Sequence, residues 1–478
     1  MERVHFIGIG GTGLSAIALL LREKGVEVSG SDRHMSPLAR RVQAAGAQVF
    51  AGHRAENVHG ASLVVRSSAI GDDNVEVQAA RELGIPVLKR SEFLGQLMAE
   101  HYGIAVAGSH GKTTTTAMIA WMLTSLQMDP SYIIGGVATN LGKNAHAGRG
   151  PHFVIEADEY DRMFLGLQPQ IAVVTNIEYD HPDYYPTPDA FYQAFVDFAD
   201  RVPADGTLLV CGDDPGGARL LNQMTARGKR ALAYGLEEGD HYTFSARNLT
   251  RNANGGFSFQ VICRSNLASG GRRYTIFHQS LLVPGVHNVR NALAALAVIH
   301  QLGIDIQHAS QALAQFEGTG RRFEVRGQAR GVTVIDDYAH HPAEIRATLA
   351  AARTRFPGQT IWAVWQPHTY SRTRALYREF CASFEDADRV LVTEVFPARE
   401  APPEDGFSAA QIAADIRGPK EVLFTSQLTQ ARDYLLANLQ AGDVVIVLSA
   451  GDADQISMQV LDRLEKLPAR PVDSGKRA

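Results

Sequence analysis

AVAGSHGKTTTTAMIAWML, residues 105–123, is the stretch on which the fold turns. An apolar, strand-like run leads into Gly108-Ser109-His110-Gly111-Lys112-Thr113, and a stretch that reads as an amphipathic helix follows. In the order strand, glycine loop, helix, backbone N–H groups can wrap phosphates, a lysine can reach the terminal phosphoryl, and a hydroxyl can bind magnesium. Lys112 and Thr113 have the side chains for the last two tasks. The spacing departs from G-x-x-x-x-G-K-[ST], because Val106 stands where the first glycine belongs and Gly108 gives a shorter form. ATP with Mg2+ is the expected ligand, gripped by residues 108–113 and Thr114. The competing structure is a lysine-bearing turn without nucleotide.

A second phosphate signature lies upstream. After VHFI come Gly8-Ile9-Gly10-Gly11-Thr12-Gly13 and the helical pattern LSAIALLLREKG, so Gly8, Gly10 and Gly13 have the G-x-G-x-x-G spacing. Glycines there allow a tight turn and let a diphosphate approach the amides of a helix N-terminus. Asp32, closing VEVSGSD, stands where an acid can meet a ribose hydroxyl. A glycine packing turn has the same spacing, and the motif does not separate NAD from another ribose diphosphate. A dehydrogenase has no use for a hydrolysable triphosphate, so the first loop is expected to hold a nucleotide-linked substrate.

Apolar runs alternating with helical patterns imply parallel strands and crossover helices. The rhythm restarts near residue 99 and again after FEGTGRRFE, which predicts an α/β protein of three domains, residues 1–98, 99–319 and 320–478. The outer two are expected to be Rossmann-like and the central one a P-loop ATPase-type α/β domain. Four apolar runs mark the third domain: GVTVIDDYAH, QTIWAVWQPH, RVLVTEVF and DVVIVLSAGDAD. Residues 247–285 read as short antiparallel strands with Gly/Asn turns, and the tail PARPVDSGKRA as mobile. A net charge of -5, without long runs of either sign, gives no electrostatic reason to expect nucleic acid or an anionic membrane. Three scattered cysteines make neither a disulfide framework nor a thiolate metal site. No export signal or membrane-crossing segment is read, so a soluble cytoplasmic protein is expected.

At this point the residues resemble a known family. HFIGIGGTGLSAIA, GSHGKTTTT, EADEYD, TNIEYDHPD, VHNVRNALAA, GRRFEV, DDYAHHPAEI and QPHTYSRT together resemble the Mur ligases, in family order and over nearly the whole chain. The resemblance implies a sugar-nucleotide domain, a central ATPase domain and a C-terminal domain for the incoming amino acid. Within the family, the short FLGLQPQ segment resembles the branch that adds L-alanine to UDP-N-acetylmuramate, whereas Tyr160 resembles the branch that adds a recycled tripeptide. Several branches carry a carbamylated lysine downstream of TNIEYDHPD; FYQAFVDF, residues 191–198, has none, as in the L-alanine branch.

The same resemblance implies roles. Thr113, Glu156 and His181 would hold Mg2+, Lys112 and Arg322 would stabilise the transferring phosphoryl, and Asn288 and Asn291 would lie on the adenine side. Asp337 would bind the ATP ribose, with Tyr338, His340 and His341 nearby. His368 and Arg372 would face the amino acid, His340 would join the catalytic set, and Thr369 replaces an arginine of some relatives. Gly10, Gly11, Thr12, Gly13, Asp32, Ser67 and Ser68 would meet the UDP portion, with Asn140 and His110 nearer the muramoyl end. Taken singly, these acids, amides and histidines also suit helix caps, turns or solvated loops. An ordered closure and a monomer or homodimer are further expectations. An oxidoreductase leaves GKTTTT unused, and a nucleotide switch leaves DDYAHHP and QPHTYSRT unused.

Overall fold

The computed structural model describes residues 2–237, 239, 241–266 and 272–466. They form two compact units, residues 1–320 and 321–478, the second described as far as Lys466. The tail PARPVDSGKRA lies outside the described residues.

The first unit opens with a parallel sheet of β1 (Arg3–Ile7), β2 (Glu27–Asp32), β3 (Gln48–Ala51), β4 (Leu63–Arg66) and β5 (Val87–Lys89), in the order β3-β2-β1-β4-β5. Its central strand β1 runs into the first glycine loop, and the helix Thr12–Glu23 follows. A ten-stranded sheet succeeds it: β6 (Tyr102–Ala107), β7 (Ser131–Ala138), β8 (Lys143–His146), β9 (His152–Glu156), β10 (Ile171–Val174), β11 (Thr207–Cys211), β12 (Ala231–Gly235), β13 (Tyr242–Arg251), β14 (Phe257–Asn266) and β15 (Arg272–Ser280). Its order is β15-β14-β13-β12-β11-β10-β6-β9-β7-β8, parallel from β13 across to β7 and antiparallel at both ends.

β6 shows why its sequence reads as a continuous apolar run. Ala105 and Ala107 face one core, shared with the first sheet, while Ile104 and Val106 face another, formed with the helix Val286–Gln301. A strand buried on both faces has no polar alternate positions. The helix Lys112–Ser125 differs from the amphipathic pattern expected of it. Residues 113–120, Met122 and Leu123 are buried, because the helix is walled by helices Val286–Gln301 and Ile306–Leu313 and by β6, β7 and β9. Of its threonines, Thr116 bonds along the helix, Oγ1 to Lys112 O at 2.8 Å, and Thr113 bonds across to Glu156 at 3.1 Å.

The second unit has one sheet: β16 (Glu324–Ala329), β17 (Val332–Asp337), β18 (Ile361–Trp365), β19 (Arg389–Thr393), β20 (Glu421–Thr425) and β21 (Val444–Leu448). The order is β16-β17-β21-β18-β19-β20, with only β16 antiparallel. The four apolar runs are β17, β18, β19 and β21; β16 and β20 are edge strands whose residues are mostly only partly buried or exposed, and neither forms a fully buried run.

Among the described residues, no helix is long and apolar enough to cross a membrane.

Candidate active site

The loop after β6 lies where the strand order reverses within the parallel part of the sheet, since β6 is flanked by β10 on one side and β9 on the other. Ligands of open α/β sheets gather at the strand C-terminal ends of such a point. Gly108 has φ +133°, and a Cβ there would stand 2.0 Å from Thr175 Oγ1. Gly111 has φ +81°, and its Cβ would stand 2.6 Å from Asn291 Oδ1. The loop is stitched to the segment after β10: His110 N donates to Asn176 Oδ1 at 2.8 Å, and Ser109 Oγ donates to Glu178 O at 2.7 Å. The His110 ring meets the Glu178 carboxylate at 3.0 Å.

Three observations suit this loop to phosphate. The helix Lys112–Ser125 has no side-chain cap, so the amides of its first turn lack partners within the helix. Lys112 lies at its start with its ammonium against the loop, 2.6 Å from Gly108 O. Asn288 and Asn291 open the neighbouring helix, bonded to each other at 3.0 Å, with Asn288 also donating to Pro284 O. The donor set also suits a hard cation. Thr113 Oγ1 donates to Glu156 Oε1 at 3.1 Å, which places two oxygen ligands together at the loop. His181, held at φ +56°, has its Nε2 3.5 Å from Glu159 Oε1.

Glu159 is the residue here that motif reading did not single out, although EADEYD contains it. It pairs with Lys112 at 2.8 Å. Burial alone would pull the Lys112 ammonium down, but Glu159, Asp158 and Glu156 outweigh it and hold the group above the ordinary lysine value. Glu159 is likewise held below the usual carboxylate range, as Lys112 and His181 overcome the penalty of burial. Tyr160 donates to Asp183 at 2.9 Å and packs on the His181 ring, centroids 4.9 Å apart.

At the first glycine loop, Gly10 N donates to Asp32 Oδ2 at 2.9 Å, so one carboxylate oxygen closes the loop. Thr12 and Gly13 begin the helix behind Gly11, its uncapped N-terminal neighbour. Ser67 lies against Gly8, its Cβ 3.1 Å from where a Gly8 Cβ would be, with Ser68 beside it. A Cβ on Gly13 would fall 1.7 Å from Arg90 Nη1, and Arg90 pairs with Asp158 at 3.3 Å, so one side chain links this loop to EADEYD. Asn140 bonds Gln315 O and Glu317 N, each at 2.8 Å, and ties down the chain before residue 320.

In the second unit, the ends of β17 and β18 gather Arg322, Tyr338, His340, His368 and Arg372. Arg322 pairs with Glu344 at 3.3 Å and lies 5.2 Å from the Tyr338 ring centre. The rings of His340 and His368 are 5.9 Å apart, and Arg372 Nη1 approaches His368 Nδ1 at 3.1 Å. Asp337 closes β17. It is buried, and its two oxygens accept the amides of Ala339 and Phe323, both at 2.7 Å, so it builds the turn that carries Tyr338 and His340. His341 caps the helix Pro342–Arg355.

Three family models match this chain in order: "Mur ligase family, catalytic domain" over residues 3–102, "Mur ligase middle domain" over 106–299, and "Mur ligase, glutamate ligase domain" over 321–451. The UDP-N-acetylmuramate–L-alanine ligase of Renibacterium salmoninarum is 44% identical over 475 residues, which cover 99% of this chain and 98% of that relative. The enzyme of the same name from Caldanaerobacter subterraneus subsp. tengcongensis is 42% identical over 469 residues, 97% of this chain and 98% of its own. Among solved structures, UDP-N-acetylmuramate-alanine ligase of Thermotoga maritima superposes with a TM-score of 0.79 at 28% identity, covering 97% of this chain and 99% of that one. A murein peptide ligase from Psychrobacter arcticus gives 0.72 at 26% identity, covering 98% and 100%.

Proposed function

This chain belongs to the Mur ligase family, and on that premise we propose that it joins L-alanine to the lactyl carboxylate of UDP-N-acetylmuramate, with ATP converted to ADP and phosphate. The observation that carries the assignment is the nearly full-length similarity to enzymes of that name. The product is a peptidoglycan precursor, and the reaction belongs to the cytoplasm.

The chemistry has two steps. A carboxylate oxygen attacks the γ-phosphorus, ADP leaves, and an acyl phosphate forms. The amine of L-alanine then attacks the acyl carbon through a tetrahedral intermediate, phosphate departs, and the nitrogen loses a proton. Both steps need charge neutralisation and alignment more than covalent help. Lys112 and the uncapped amides of residues 112–114 neutralise phosphate oxygens, and Asn288 and Asn291 serve the adenine side. Thr113, Glu156 and His181 are the residues to hold Mg2+, which when bound neutralises phosphate charge. The first glycine loop, with Asp32, Ser67 and Ser68, receives the UDP portion. In the second unit, the Arg372 guanidinium suits the L-alanine carboxylate, a planar fork matched to two oxygens, with His340 and His368 beside it. Arg322 serves the transferring phosphoryl. The division of labour is then sugar nucleotide at residues 1–98, ATP at 99–319 and amino acid at 320–478.

The deciding experiment measures phosphate release from ATP with Mg2+ and UDP-N-acetylmuramate, comparing L-alanine with the recycled tripeptide, and weighs the product. A product heavier by one alanyl residue is expected. Turnover with tripeptide alone would overturn the assignment and give Tyr160 the deciding part.

A further inference from the structure

The Lys112 ammonium has three protons to donate. Two of its contacts are to the loop's own carbonyls, Gly108 O at 2.6 Å and Ser109 O at 3.2 Å. The third is Glu159, whose two carboxylate oxygens lie 3.0 and 2.8 Å from Nζ. The Glu159 side chain is 2% exposed and that of Lys112 13%. Glu159 is also fixed through its backbone, where the buried Tyr185 hydroxyl donates to Glu159 O at 2.5 Å. The backbone of Tyr185 in turn bonds to His181 O at 2.8 Å.

Every donor of this lysine is therefore engaged within the protein. Phosphate oxygens need the same protons. A buried ammonium without a counter-ion is costly, so a carboxylate beside it stabilises the empty loop. The same carboxylate must be displaced, at least in part, when a phosphate takes the ammonium.

We propose that Glu159 is a positioning residue that holds the Lys112 ammonium against the rear of the phosphate loop and competes with nucleotide phosphate for it. The proposal rests on the loop being the nucleotide site. Neutralising Glu159 frees the ammonium for phosphate, so it tightens nucleotide binding instead of weakening it, and does so only while Lys112 is present. A merely structural Glu159 would produce neither the sign nor the dependence on Lys112.

The test is calorimetric titration of the full-length protein with ADP in EDTA, which removes divalent cations from the comparison. Wild type, Glu159→Gln, Lys112→Met and the double variant are measured. Glu159→Gln is expected to bind ADP about tenfold more tightly, the scale of one charge-assisted contact. Lys112→Met and the double variant are expected to bind equally weakly. Unchanged or weaker binding by Glu159→Gln overturns the proposal, as does a gain that persists without Lys112. Glu159→Asp, which keeps the charge but draws it back by one methylene, is expected to show a smaller gain and serves if the amide variant does not fold. Failure of the wild type to bind ADP would instead overturn the assignment of the loop to a nucleotide.

Discussion

The Thr113 hydroxyl donates a 3.1 Å hydrogen bond to Oε1 of Glu156, joining the first turn of the helix behind the phosphate loop to the C-terminal end of β9. The other oxygen of Glu156 accepts the Gly135 amide at 2.7 Å, which fixes the plane of the carboxylate. Removing either hydroxyl or charge disturbs an arrangement held from both sides. Glu156→Gln is expected to lower kcat by about 10²- to 10³-fold and to move the Mg2+ titration of activity to higher concentration, as loss of a transition-state charge contact does. Thr113→Ser should keep most of the activity and Thr113→Val should lose it. A Glu156→Gln enzyme with an unchanged Mg2+ midpoint would remove Glu156 from the metal site.

Lys112→Met retains much of the apolar stem and removes the ammonium. If Lys112 acts mainly on the transferring phosphoryl, kcat falls by about 10²- to 10³-fold, while KM for UDP-N-acetylmuramate stays within a small factor. Steady-state kinetics with each substrate varied in turn distinguish this from a general loss of folded enzyme.

Gly108 tests the backbone of the loop. Its φ of +133° is a conformation that side chains rarely adopt, and the added Cβ would meet Thr175 Oγ1 at 2.0 Å and Thr175 N at 3.0 Å. Gly108→Ala is expected to destabilise the first unit by about 1–3 kcal/mol and to lose nucleotide binding, measured by denaturant unfolding and ADP titration.

Asp336 gives a pH dependence whose sign is fixed by its burial. Burial raises its carboxyl from 3.8 to about 6, beyond what Ser457, Arg321 and Arg326 offset. The folded state therefore binds the proton more tightly than the unfolded chain. The associated stability is present below pH 3.8 and is lost as pH rises towards about 6. Asp337 is raised to about 6 for the same reason and adds to the slope. Asp336→Asn is expected to raise the Tm relative to wild type at pH 7.5, and the difference should shrink by pH 4.5. A gap that widens on acidification would contradict this.

Much of the site was legible because its chemistry is local. GSHGKT between an apolar run and a helix reads as a candidate phosphate loop from its immediate neighbours, and β17 and β18 announce themselves as apolar runs ending in DDYAHH and QPHTYSRT. Asp32 and Asp337 were legible as acids at strand ends, but the backbone amides that they accept were not, because those partners are set by how each turn folds back. Here Gly10 N, and the amides of Phe323 and Ala339, receive them. β16 was hidden because its edge position leaves Val325 and Arg326 exposed, without the apolar alternation of a half-buried strand.

The sequence by itself determined the two glycine loops, the α/β rhythm and the order of the motifs, since each depends on neighbours within a few residues. Only the tertiary structure decided which distant groups meet them. Placing β6 between β10 and β9 brings Glu159 to Lys112, 47 residues away, and the helix Val286–Gln301 brings Asn291 against Gly111. Arg90 reaches beneath Gly13 and across to Asp158 for the same reason. Turn chemistry and hydrophobic period are local properties of a chain, whereas the counter-ion of a buried lysine is set by strand order, which crossover connections fix over long separations.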